Sequence, residues 1–195
     1  TPDANALVAV SPAGGVAVLS AADGKTLLAF DTGVPNFRPA FFPDGQTLAA
    51  VVPAADGKAA PALVPLAGGL PKATGLVGLE EKVTAVAVSK SGTWVAAGGE
   101  GGGVRVWNAL SPTSAFSLHV GGGERPHPGA VTAVTFDADG KYLVTAGGGV
   151  VRAWAASARW TGENLKADVD GEVFDLGVGR DGDKLYAGTR ARGVR

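Results

Sequence analysis

Residues 98–103 read Gly-Gly-Glu-Gly-Gly-Gly, the kind of loop in which backbone amides can close around a phosphate. A second stretch, Gly177 to Gly182 (GVGRDG), satisfies the G-x-G-x-x-G spacing of dinucleotide sites. Both chemistries need a helix to follow, because its N-terminus supplies the amide donors; here an alternating apolar run follows each stretch, so both read as turns between strands. The loop from Gly121 to Arg125 (GGGER) lacks the Lys-Ser/Thr tail of a phosphate loop. Asp168, Asp170 and Glu172 open like a calcium loop but lack the glycine at its sixth position and the late bidentate glutamate that complete one, which favours a solvated turn. The two histidines, His119 and His127, stand on separate segments of a chain without cysteine, a poor basis for zinc. No G-x-S-x-G elbow marks a nucleophile. These residues predict no catalytic centre, no cofactor and no metal.

What would position any binding group follows from composition. Charged residues are 18% of the 195 and glycines number 31, against averages of about 25% and about 7%, so tight turns must be frequent. A net charge of -1 gives no global field toward nucleic acid or an anionic membrane. No run of about 18 apolar residues occurs, so no membrane insertion is expected. The absence of cysteine excludes disulfides and leaves the compartment open. The chain opens on Thr1 and contains no methionine, from which a processed product or a window of a longer protein is expected.

The turns then reveal a repeat. VTAVAVSKSGTWVAAGG from Val83 aligns with VTAVTFDADGKYLVTAGG from Val131, with VFDLGVGRDGDKLYAGT from Val173 and, one residue shorter in its turn, with FRPAFFPDGQTLAAVV from Phe37. A fifth copy is cut by the start, with Ala4 where the others carry Gly45, Gly92, Gly140 and Gly182. The spacings of 41, 47, 48 and 42 residues bracket the roughly 40–45 of a four-stranded propeller blade. Apolar residues alternate within each unit and turn residues punctuate it, which predicts an all-β fold: a β-propeller of four-stranded antiparallel blades, about four to four and a half repeats. Nothing reads as helix. The expected units are a partial blade at 1–31, blades at 36–78, 83–120 and 130–169, and a partial blade at 171–195. Inner strands such as VTAVAV are nearly all apolar, as strands covered on both faces should be.

The third strands VRVWN (Val104 to Asn108) and VRAWA (Val151 to Ala155), each within such a unit, resemble those of WD-repeat propellers, with relaxed, bacterial-looking motifs. The resemblance implies a structural network of a Gly-His histidine, a second-strand Ser or Thr, a turn aspartate and the third-strand tryptophan. It carries over to His127, Thr145 and Trp154 in the fourth unit, where Gly148 stands at the aspartate position. In the third unit Trp107 remains, but Gly78 and Leu79 take the Gly-His positions and Ala97 replaces the hydroxyl, so packing alone is expected to hold it. Trp94 and Trp160 read as core or blade-edge residues; the connection around Trp160 also allows exposure and a partner-anchoring role.

The resemblance also implies binding on the face that carries the blade-to-blade connections and the loops between second and third strands. On this chain that face includes Arg38, Glu81, Lys82, Glu100, Arg125, Glu172 and Arg190. The leading expectation is a non-enzymatic scaffold for a protein partner, with no nucleic acid, or for additional blades from the same or another chain. The alternatives are a propeller enzyme or a small-molecule or metal sensor using the central channel, and an accessory segment of a larger multidomain bacterial protein. Asp175 and Arg38 are the only charged residues amid inner strands.

Overall fold

The computed structural model describes residues 4–35, 37–53, 59–67, 69–156, 160, 163–169, 171–179 and 184–190. The repeat unit folds as an antiparallel sheet each time it recurs. The first sheet holds β1 (Ala6–Val10), β2 (Gly15–Ser20) and β3 (Thr26–Asp31); the second holds β4 (Ala40–Phe41), β5 (Thr47–Pro53), β6 (Ala59–Pro65) and β7 (Thr74–Gly75). The third is β8 (Val83–Val88), β9 (Trp94–Gly99), β10 (Val104–Asn108) and β11 (Ser111–Ser117). The fourth is β12 (Val131–Phe136), β13 (Tyr142–Gly147), β14 (Val150–Ala155) and β15 (Glu163–Asp168), and the fifth pairs β16 (Glu172–Val178) with β17 (Leu185–Arg190). Strand order follows chain order in every sheet, as in the blades of a propeller. Two single turns of 3-10 helix, Leu70–Lys72 and Gly121–Gly123, depart from the all-strand reading. His119, expected on the outer strand of the third blade, lies just beyond β11 and is exposed.

Alternation across the strands explains why so few positions are polar. Successive residues of a strand point to opposite faces. In β9, Val95 and Ala97 join the apolar layer shared with the second sheet, whereas Ala96 joins the layer shared with the fourth. The same division runs through β10, where Trp107 faces back and Val104 and Val106 face forward. A third layer, with Val144, Val151, Val173 and Leu176, joins the fourth and fifth sheets. At the first sheet Leu7 is 60% exposed, whereas its repeat equivalents Leu48, Val95 and Leu143 are wholly buried.

The turn between the first two strands of a blade needs a left-handed residue. Gly45, Gly92 and Gly140 supply it with φ of 66°, 72° and 69°. Ala4 keeps the same conformation, φ 57°, although a Cβ disfavours it.

Trp160 is a core residue, as the sequence suggests, and the alternative of exposure falls away. It is 1% exposed and meets Trp94 and Phe136 edge-to-face, each at 5.7 Å between ring centroids. Trp94 in turn meets Phe116 at 6.2 Å, so the ring fills the seam between the third and fourth blades and has no surface to offer a partner.

Candidate functional site

Antiparallel pairing decides which connections share an end of the blades. Val83 pairs with Gly99, Val104 with Gly98 and Arg105 with Ser117, so the segment entering β8, the β9–β10 loop and the segment leaving β11 lie together. The fourth sheet repeats this register with Val131, Gly147, Val150 and Asp168, and the fifth with Glu172 opposite Arg190. One end therefore gathers Arg38 before β4, Glu81 and Lys82 before β8, Glu100, Arg125 and His127 before β12, and Glu172 at the start of β16. Arg38, Lys82, Glu100, Arg125 and Glu172 are exposed. Arg190 closes β17 at this end, and its side chain lies outside the described residues, as do the side chain of Asp168 and all of Asp170 and Gly182.

Glu81 differs from its neighbours on this face: its side chain is only 19% exposed. Its carboxylate accepts the N–H of Gly101 through Oε2 and that of Gly103 through Oε1, the latter at 3.1 Å. Arg125 Nη1 stands 3.3 Å from Oε2 and donates to the Gly101 carbonyl at 2.7 Å. The Glu100 N–H donates to the Lys82 carbonyl at 2.8 Å, and the His127 N–H to the Gly102 carbonyl at 3.2 Å. Thus the glycine loop does close around an anion, and that anion belongs to the same chain. Glu100, at the loop tip, is bound only through its backbone here and presents its side chain to solvent. Spacing in sequence hid the partnership. Glu81 stands two residues before Val83, the residue that pairs beside Gly99, and only the strand register brings it under the loop.

Beneath the face lies a second polar cluster. The Trp154 indole N–H donates to Thr145 Oγ1 at 3.0 Å, Thr145 Oγ1 lies 2.8 Å from His127 Nε2, and His127 Nδ1 lies 3.2 Å from the Gly147 carbonyl oxygen. A carbonyl can only accept, so Nδ1 carries the proton, Nε2 accepts, and the Thr145 O–H donates to it. Every polar hydrogen in the chain of four groups then has an acceptor. The expected gap at the aspartate position is filled by the Gly147 carbonyl. Burial pushes the His127 pKa down to about 4, the Gly147 hydrogen bond opposing and the positive charge of Arg152 reinforcing the shift. His127 and Thr145 are 2% and 0% exposed, so the cluster supports the face from below.

The third blade corrects the expectation of packing alone. Trp107, wholly buried, donates its indole N–H to the Val77 carbonyl at 2.9 Å. Where Leu79 and Ala97 offer no polar side chain, the connection itself supplies the acceptor.

Among the described residues no group of three or more His, Asp or Glu side chains could hold a metal ion. Two open depressions of about 260 and 610 Å³ lie on the first sheet and its border with the second; neither lining contains an ionisable side chain. No helix of the described residues is long and apolar enough to cross a membrane.

The family model for the WD domain, G-beta repeat, matches residues 73–108 and 123–155, the stretches that end on the strands of Trp107 and Trp154. Over these two segments the chain is similar to WD repeats. Its fold is similar to that of a chain in the crystal structure of the mitotic checkpoint complex, with a TM-score of 0.76 and 18% identity. That likeness covers 96% of this chain and 55% of the other, so the chain spans about half the length of that structure's chain. At such identity the likeness concerns the fold. No curated protein sequence matches the chain.

Proposed function

We propose that this chain is a non-enzymatic scaffold that binds a polypeptide partner on the face formed by the blade-to-blade connections and the β9–β10 loop. WD repeats support a protein-interaction role in general, and the observation that carries the finer reading is the register. Five exposed charged residues from five separate segments, Arg38, Lys82, Glu100, Arg125 and Glu172, reach one end of a stack of buried sheets. Groups of both signs suit a polypeptide with charges of both signs, whose register they would select more than its affinity. Asp175 is exposed on β16, away from the end defined by Glu172 and Arg190.

Charge reversal tests this directly. Arg38→Glu and Lys82→Glu change exposed side chains that make no inter-blade hydrogen bond among the described residues, so the melting temperature is expected to hold while partner capture falls by about tenfold, the equivalent of roughly 1.4 kcal/mol. Quantitative pull-down against the same extract, with a melting curve for each variant, reads both. Undiminished capture by the double variant would remove this face from consideration.

A further inference from the structure

We propose that the β9–β10 loop and Arg125 form a carboxylate-binding cradle whose resident ligand is the chain's own Glu81, and that the cradle takes a small external carboxylate once Glu81 is removed. This stands independently of any partner. Two amide donors from one connection and a guanidinium from another converge on a carboxylate supplied by a third. Each carboxylate oxygen receives one amide hydrogen, and Arg125 adds opposite charge at the side left open to solvent, where its own side chain is 61% exposed. Successive amides aimed into a concavity are the general device by which backbone holds an anion.

The glycines supply a separate observation. A Cβ at Gly99 or Gly103 would overlap the Glu81 side chain, and one at Gly101 would overlap both Glu81 and Arg125. Three positions of this loop are therefore kept bare by what sits in it, whereas turn geometry accounts only for Gly102, at φ 87°. The fourth blade provides the contrast. Gly129 stands at the position of Glu81, its β13–β14 turn is shorter, and six residues before Val173, where Arg125 stands six before Val131, the chain has Ala167. The cradle is thus a feature of the third blade and its border with the fourth, not of the repeat. It ties together the connections that enter β8, leave β9 and enter β12, and so fixes where Lys82 and Glu100 are displayed.

Formate, the smallest carboxylate, is the probe. Glu81→Ala is expected to lower the melting temperature by about 2–4 °C, the shift that loss of roughly 1 kcal/mol brings in a chain of this size. Sodium formate at about 0.1 M should restore more than half of that loss relative to sodium chloride at equal ionic strength, which screens equally. Wild type should gain nothing from formate beyond chloride, because its cradle is filled, and Glu81→Ala/Arg125→Ala should recover far less than Glu81→Ala. Formate acting no better than chloride on Glu81→Ala, or equally on the double variant, would overturn the proposal. If Glu81→Ala does not fold, Glu81→Gln keeps the volume and removes the charge. Arg125→Ala should then lower the melting temperature of wild type more than that of Glu81→Gln, in which the charge pair is already gone and the hydrogen bond to the Gly101 carbonyl remains to be lost; equal losses in the two backgrounds would also overturn it.

Discussion

Replacing Trp154 by alanine is expected to cost about 3–5 kcal/mol of stability, the usual result of deleting a large aromatic side chain from a packed interior. Two features place Trp154 at the upper part of that range. It is wholly buried in the layer between third and fourth blades, against a set that includes Ala96, Val106, Leu118 and Leu143. It is also the first donor in the chain that runs through Thr145 and His127 to the Gly147 carbonyl. Trp154→Phe keeps one aromatic ring but removes the N–H and part of the indole volume, so it should cost less than alanine, about 1–2 kcal/mol. Urea unfolding of the three proteins measures both. Because the layer belongs to two blades, Trp154→Ala should also destabilise the third, so fluorescence from the remaining tryptophans, Trp94 and Trp107 of the third blade among them, and far-UV circular dichroism should shift together. A loss below that of Trp154→Phe, or a fourth blade that unfolds alone, would show that the blades are not coupled through this layer.

The same coupling explains what could be read in the sequence. VTAVAV is legible as an inner strand because each of its faces meets another blade, leaving little room for polar letters. The turn glycines are legible because only a left-handed residue closes those hairpins, and Ala4 shows the backbone demand persisting where the letter has changed. The polar cluster at His127, Thr145 and Trp154 was visible through its resemblance to WD repeats. What stayed hidden was done by main-chain atoms, which have no residue type. Val77 and Gly147 act through their carbonyls, and Gly101 and Gly103 through their N–H groups. Glu81 looked like any other surface carboxylate until strand register set it beneath the loop. Trp160 was legible as a core residue, but its place in the core was not, because its flanking residues are polar and the rings it meets, Trp94 and Phe136, are distant in sequence.

Stability is expected to fall as the pH drops from 7 to 5, and His127 is the cause. In the unfolded chain a histidine takes up a proton near pH 6.5; in the folded chain burial delays this until about pH 4. Between those values the unfolded state binds more protons, so stability rises with pH across the window and levels off on either side. With these two pKa values the loss between pH 7 and pH 5 is about 2 kcal/mol, and near pH 4 it approaches about 3 kcal/mol. The geometry gives the same sign. Protonation would place a hydrogen on Nε2, facing an Oγ1 that already accepts from Trp154, and would leave the Thr145 hydroxyl hydrogen without its acceptor. Arg152 adds positive charge nearby, and no carboxylate figures among the groups that shift His127. His127→Gln removes the titration, so its urea midpoint should change much less than that of wild type between pH 7 and pH 5, although it starts lower. Parallel pH profiles for the two proteins would mean that His127 takes up its proton in the folded state near its ordinary value, and that the cluster beneath the loop face is open to water.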